Sequence, residues 1–195
     1  MSPSTSIISN QPFLLKDQYG DASTIDLRRN LYERFGTNPE HLSRWMFTEI
    51  EALVDGNILE VGTGPGTWWV ENVDRIPSGV SALRSDFSHG MILEARERTQ
   101  AMLPNLGYAR LYAQAIPLRS ESQDLILANH MIYHIPDKEA AFKEFHRILK
   151  PGASLCATAN GRNHMQIVGN LWKGHLPRGF RKTVGPPTES GFLAG

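Results

Sequence analysis

The chain has 195 residues, of which 41% are hydrophobic, 9% aromatic and 21% charged, enough for one domain with a sizeable core and unlike a small disulfide-stapled module. Twenty Lys and Arg balance twenty Asp and Glu, so no global field draws the protein to nucleic acid or to an anionic membrane, and neither partner is expected. A single cysteine, Cys156, rules out an internal disulfide and a cysteine-rich zinc site and fits a reducing cytoplasm, the expected location. The opening residues lack a basic stretch followed by a long apolar one, and no run approaches the ~18 apolar residues of a spanning helix.

Residues 1–20 read as a flexible arm and residues 21–55 as an N-terminal helical cap. In the cap, Ile25, Leu27, Leu31 and Phe35 form one apolar stripe that stops at Gly36. A second helix starts where Asn38 can cap and Pro39 suits the first helical position, and it carries Leu42, Trp45, Met46, Ile50 and Leu53 before Asp55-Gly56 ends it. Strands and helices then alternate, the pattern of an α/β parallel sheet covered on both faces. Strands are expected at Ile58–Val61, Val80–Arg84, Leu111–Ala115, Asp124–Asn129 and Ala153–Ala159. Helices are expected from Thr67, after the Ser88 cap, and after the Asp137 cap with a face of Ala141, Phe142, Phe145, Ile148 and Leu149 that Lys150-Pro151-Gly152 terminates. Residues 166–195 read as a short helix followed by an irregular tail, dense in Pro and Gly.

The most informative stretch is Leu59-Glu60-Val61-Gly62-Thr63-Gly64-Pro65-Gly66-Thr67, a strand that runs into three alternating glycines and then a helix. Glycine there lets the backbone turn sharply and lets a ligand lie against the main chain; a Gly-rich turn without a ligand is the plain alternative. Glu60 inside the strand and Asp86 at the end of the next, about 20 residues beyond the last glycine, favour a ligand, because an acid at that place can accept both ribose hydroxyls. The dinucleotide fingerprint fails, since Thr67 stands where its third glycine would be.

These residues, with Ser85-Asp86-Phe87-Ser88-His89-Gly90-Met91, Ala128 to Asp137 and Arg147-Ile148-Leu149-Lys150-Pro151-Gly152, resemble the class I S-adenosylmethionine-dependent methyltransferases over roughly residues 14–165. The resemblance implies a Rossmann-like parallel sheet of strand order 3-2-1-4-5 with helices on both faces, and a cofactor-binding core over residues 56–165. It implies S-adenosylmethionine as cofactor and S-adenosylhomocysteine as product. Glu60 would set the glycine loop and hold the cofactor's amino group, and Gly62, Thr63, Gly64 and Gly66 would pack against its methionine and ribose portions. Asp86 would take the ribose hydroxyls. Phe87 and Met91 would flank the adenine, Ala113 would offer its backbone N–H to the ring, and Asn129 and His130 would face the transferable methyl group. Two departures stand out. Tyr112 occupies the place where the family usually has an acid before Ala113, and the final antiparallel hairpin of the family sheet is expected to be missing, which leaves a sheet edge that a homodimer partner could cover.

His130, directly after a strand, is the candidate acid or base, since an ordinary imidazole titrates near neutrality. His130 and His134 have the spacing of a shared helical face, but Met131 replaces the glutamate of the zinc motif, and no metal is expected. Trp45, Trp68 and Trp69 could line an acceptor pocket, though large aromatics in amphipathic helices more often form core. Tyr32, Phe35, Trp45, Tyr133, Asn160 and Arg162 are the remaining candidates for the acceptor side, and the cluster Lys173, His175, Arg178, Arg181 and Lys182 reads as solvated surface. The expected function is methyl transfer to a small-molecule acceptor. The alternatives are a cofactor-binding or partner-binding relative without catalysis and, on weaker grounds, a nicotinamide-dependent oxidoreductase.

Overall fold

A computed structural model describes residues 23–36, 40–103 and 106–161. In chain order these form α1 (Ser23–Phe35), α2 (Leu42–Ile50), β1 (Asn57–Val61), α3 (Thr67–Glu71), β2 (Ser81–Asp86), α4 (His89–Thr99), β3 (Gly107–Arg110), β4 (Gln123–Asn129), α5 (Lys138–Ile148) and β5 (Leu149–Thr158). Single 3₁₀ turns follow α2 at Glu51–Leu53 and β4 at Ile132–His134. Five strands pair in the order β3-β2-β1-β4-β5, all parallel, which is the order the resemblance implied. The expected arm, the tail helix, the basic tail cluster and any final hairpin lie outside the described residues.

The strands at the centre are the nearly continuous apolar runs of the sequence, because a parallel strand covered on both faces has no polar side. Their alternation divides the core in two. Ile58, Leu125 and Leu127 pack with Met46, Phe47, Trp68, Trp69 and Ala82 on one face, and Leu59, Val61 and Ile126 pack with Ala141, Phe145 and Ile148 on the other. Trp68 and Trp69 are therefore core residues, 4% and 0% exposed, and do not line an acceptor pocket. In α5, Asp137 caps as expected by accepting from the Ala140 N–H at 3.0 Å, and the buried face is Ala141, Phe145 and Ile148.

The chain departs from the sequence expectations in four places. The α2 cap is His41, whose Nδ1 accepts from the Ser43 N–H at 3.3 Å, so the helix begins later than Asn38-Pro39 implied. The third strand is Gly107–Arg110, paired with Leu83–Asp86, and not Leu111–Ala115. Leu111 and Ala113 do alternate inward, but as part of a turn closed by an isolated bridge between Tyr112 and Ala115, so their spacing imitates a strand. Lys150-Pro151-Gly152 does not separate α5 from β5: the strand begins at Leu149, and these residues bulge from it between the pairs Gln123↔Leu149 and Leu125↔Ser154. Lys150 Nζ holds Asp124 at 2.8 Å across this irregularity, and β5 lies at the margin of the described sheet, where a proline costs no ladder bond to a further strand. Finally, the stripe expected along α1 is not buried throughout, since Leu27 and Phe35 are 66% and 70% exposed.

The helix α1 is tied to α4 by a two-point pair in which Arg98 donates to both Asp26 carboxylate oxygens, at 3.1 and 2.6 Å. That guanidinium holds the Asp26 carboxyl below its ordinary value of 3.8. A lowered acid contributes stability above its unfolded value and loses it as pH falls through the folded one, so the tie holds at neutrality and fails only in strong acid. We expect Asp26→Asn to lower hydrogen-exchange protection of the α1 amides about fivefold at neutral pH, roughly 1 kcal/mol, with little change in the sheet. Truncating the 1%-exposed Phe145 to Ala is expected to cost about 3–5 kcal/mol in a denaturant melt, a large share of a domain's stability.

Candidate functional site

The site is built at the carboxyl ends of β1, β2 and β4, where open α/β sheets bind ligands. The turn after β1 is fastened to β2: the N–H groups of Gly62 and Thr63 both donate to the Ser85 carbonyl, at 2.8 and 2.9 Å, and Ser85 Oγ donates to the Glu60 carbonyl at 2.5 Å. Gly62 has φ +75, and a Cβ there would stand 2.6 Å from Met131 Cβ, so the segment after β4 lies directly over this glycine. Gly64 has φ +54, and among the described residues a Cβ there would meet only Ile25 Cδ1 of α1, at 3.7 Å. Among those residues the main chain at Gly64 thus lies open apart from the cap helix. Gly66 forms the N-terminal end of α3, its carbonyl accepting from the Trp69 and Val70 N–H groups.

Two carboxylates flank this turn. Glu60 is 2% exposed, and its Oε2 accepts from Thr63 Oγ1 at 2.5 Å and from Trp69 Nε1 at 2.6 Å. Burial raises the Glu60 carboxyl above its usual range, against these two bonds and the nearby Arg84 charge. Asp86 accepts at Oδ2 from the Gly64 N–H at 3.0 Å and at Oδ1 from the Ser88 N–H at 2.8 Å. Its carboxyl is also raised by burial, with the backbone N–H groups of Ser88, Gly64 and Phe87 opposing. Each carboxylate oxygen has a second lone pair, so Asp86 can hold the loop and still accept from a ligand.

Around these acids stand the other candidates. Phe87 and Tyr112 meet edge to face, with ring centroids 4.6 Å apart, and Tyr112 is 51% exposed. Arg110 Nε donates to the Phe87 carbonyl at 2.9 Å. Ala113 is buried, and among the described residues no hydrogen bond takes up its N–H. Met91 is 1% exposed and enclosed by protein in α4, whose Ser88 cap accepts from the Met91 N–H at 3.4 Å. At the end of β4, Asn129 Oδ1 accepts from Thr158 Oγ1 at 3.3 Å, while Asn129 Nδ2 is buried with no partner among the described residues.

His130 follows with φ +52, a backbone conformation uncommon outside glycine, and its N–H donates to the Thr158 carbonyl at 3.0 Å. His134 closes the 3₁₀ turn and packs against Tyr133, with ring centroids 4.4 Å apart. The four-residue spacing of the two histidines is therefore not a helical face, and among the described residues no group of three or more metal-ligating side chains exists. On the cap, Phe35 and Trp45 are 70% and 44% exposed, while the side chain of Tyr32 and all of Arg162 lie outside the described residues.

Sequence reasoning missed three residues that shape the site. Met131 closes over Gly62, Trp69 binds Glu60, and Arg84 is buried beside them, 0% exposed. A tryptophan nine residues after the strand's glutamate is a usable signal, but a lone arginine in a strand reads as a surface residue.

The residues present suit a cofactor that carries a ribose, an adenine and a cationic amino-acid end. The Gly64 backbone offers it a bed, the Ala113 N–H and Asn129 Nδ2 are donors with no acceptor among the described residues, and two carboxylates complement its positive charge.

Residues 58–152 match a family profile described as a methyltransferase domain. A demethylmenaquinone methyltransferase of Lactiplantibacillus plantarum is 22% identical over 153 residues, 77% of this chain and 64% of the relative. A ubiquinone/menaquinone biosynthesis C-methyltransferase of Geotalea daltonii is 33% identical over 115 residues, 56% of this chain and 47% of the relative. The chain thus spans less than two thirds of the length of these curated relatives. Among solved structures, a phosphoethanolamine N-methyltransferase of Haemonchus contortus in complex with S-adenosyl-L-methionine shares the fold with TM-score 0.62 and 19% identity, over 85% of this chain and 40% of that one.

We expect Gly62→Ala to destabilise the protein by about 2 kcal/mol or more, through its left-handed backbone and the clash with Met131. Gly79→Ala, where a Cβ meets nothing within 4 Å, serves as the control, with an expected change within about 0.5 kcal/mol in thermal melts.

Residues 58–152 thus match a methyltransferase domain, and their strand order is the one that the resemblance to the class I S-adenosylmethionine-dependent methyltransferases implied.

Proposed function

We propose that the chain binds S-adenosylmethionine along the ends of β1, β2 and β4 and transfers its methyl group to a small-molecule acceptor. The observation that carries this reading is the pairing of Glu60 and Asp86 on either side of the glycine turn, with a buried Asn129 amide at the end of β4 that has no partner among the described residues. When bound, the cofactor supplies an electrophilic methyl on a sulfonium, so the protein's work is alignment and exclusion of water.

Asp86 accepts the ribose hydroxyls with the lone pairs its loop bonds leave over. Phe87, beside Tyr112, provides the apolar face for the adenine, with Met91 filling the space beneath, and the Ala113 N–H donates to the ring. Glu60 Oε1, the oxygen outside the Thr63 and Trp69 bonds, receives the cofactor's ammonium, while Gly62, Thr63, Gly64 and Gly66 let the amino-acid portion lie against the backbone. Asn129 Nδ2 donates to the carboxylate end. His130 Nδ1 or Nε2 takes the proton that the acceptor atom, whether oxygen, nitrogen, sulfur or carbon, must give up on gaining the methyl, the cofactor's sulfonium leaving as the thioether.

Calorimetric titration with S-adenosylmethionine and S-adenosylhomocysteine tests the cofactor half of this reading. We expect micromolar binding that falls about tenfold to a hundredfold in Asp86→Ala, the loss for a charge-assisted bond. The acceptor half is read from S-adenosylhomocysteine formed with candidate acceptors, of which the relatives' names make demethylmenaquinone the first to try. Binding without turnover on any acceptor would favour the non-catalytic relative, and absence of binding by folded protein would overturn the proposal.

A further inference from the structure

Arg84 is the one fully buried cation among the described residues that no carboxylate pairs with directly. Its Nη1 donates to Thr99 Oγ1 at 2.5 Å, and its Nη2 donates to the Leu106 carbonyl at 3.0 Å and to that of Leu103 at 3.5 Å. All three acceptors are neutral, and Nε is buried with no partner among the described residues. The guanidinium carbon lies 4.0 Å from the Tyr108 ring centroid and 5.6 Å from that of Trp69. Burying a guanidinium among neutral groups is costly, and such a charge persists where a nearby anion compensates it.

Parallel pairing puts that anion next door. Glu60 and Arg84 are register partners across β1 and β2, and their strand positions share the face of the sheet that carries Trp69. The Trp69 indole joins them, since its N–H donates to Glu60 Oε2 at 2.6 Å and its ring lies beneath the guanidinium. An indole polarised by a cation over its ring is a stronger N–H donor, so the two contacts reinforce each other. The charged groups that act on Glu60 are Arg84, which favours its anion, and Asp86 at the end of β2, which opposes it. The groups acting on Arg84 are Tyr108 from β3 and Glu60.

We propose that Arg84 is a positioning residue of the cofactor site: through the Trp69 indole it serves as the internal countercharge that keeps Glu60 an anion, ready for a ligand's ammonium group. This rests on the role given to Glu60 under the proposed function and adds to it the residue that sets its charge. Without Arg84, Glu60 would face Asp86 and low-dielectric surroundings, and both push its carboxyl further toward the neutral form. The Thr63 and Trp69 bonds would survive on a neutral carboxyl, but the attraction for a cationic ligand would not.

The test compares wild type, Arg84→Lys, Arg84→Met, Glu60→Gln and the Arg84→Met/Glu60→Gln double variant, with binding of S-adenosylhomocysteine measured from pH 6 to pH 9. Wild type and Arg84→Lys are expected to bind with nearly constant affinity. Arg84→Met is expected to lose about tenfold between pH 8 and pH 6, the weight of one charge-assisted contact, and the double variant is expected to lose that pH dependence. A flat profile in folded Arg84→Met, or a slope that persists in the double variant, would overturn the proposal. The ligand-free proteins give an independent reading, because proton uptake by the carboxyl bonded to Trp69 changes indole fluorescence. A titration step in Arg84→Met that Glu60→Gln removes supports the proposal even if no ligand binds, in which case the cofactor reading fails alone. If Arg84→Met does not fold, Trp69→Phe keeps a ring under the guanidinium and removes the indole N–H. It is expected to shift the same profile in the same direction, and an unchanged profile would overturn the proposal.

Discussion

A carboxylate buried at the end of the first strand governs the architecture of this molecule. Glu60 is withdrawn from water to 2% exposure, and a buried charge persists only where donors and countercharges surround it. Its donors come from the residues that follow, Thr63 in the turn and Trp69 in α3. For both to reach one oxygen, the chain must reverse within a few residues and start a helix at once. That requirement explains the glycines better than a ligand alone does, since Gly62 turns at φ +75 under Met131 and Gly66 opens α3 at φ +78. The countercharge comes from the neighbouring strand, where Arg84 stands opposite Glu60.

The same fastening positions the second acid. Ser85 holds the turn through its carbonyl and its hydroxyl, so the next residue, Asp86, emerges beside Gly64 and accepts its N–H. One step further, Ser88 both donates its N–H to Asp86 and caps α4. Helix α4 then returns Thr99 to Arg84 and sets Ala95 and Thr99 against the Gly66 position. The circuit from Glu60 through Ser85, Asp86, α4 and Arg84 back to Glu60 closes on itself. Each of its buried groups would cost about 1–3 kcal/mol if left unpaired, so the carboxylates are held in place before any ligand arrives.

Much of this was legible in the sequence because it rests on local rules. The β1 and β4 strands are short apolar runs, Ser88 and Asp137 are ordinary caps, and the glycine turn with its two acids is compact in sequence. The resemblance gave the strand order correctly. What could not be read depended on partners far along the chain. The strand Gly107–Arg110 has no apolar run and is defined by pairing with β2, whereas the more strand-like Leu111 and Ala113 feed a turn. Pro151 and Gly152 read as terminators because a sequence does not show that the bulge sits at the margin of the described sheet. Arg84 reads as a surface charge until register places it against Glu60, and Met131 gains its role only where β4 brings it over Gly62.

The two halves of the candidate site differ in what holds them. The cofactor side depends on buried hydrogen bonds whose loss would strand charges in the core. On the cap, one tie of α1 to the core is the Asp26–Arg98 pair, with side chains 29% and 27% exposed. A partly exposed pair of this kind is worth about 1 kcal/mol or less, several-fold below the cost of opening the Glu60 circuit. Acids held by buried bonds of this kind need no rearrangement to meet a charged ligand, which is what a site that must orient its ligand requires.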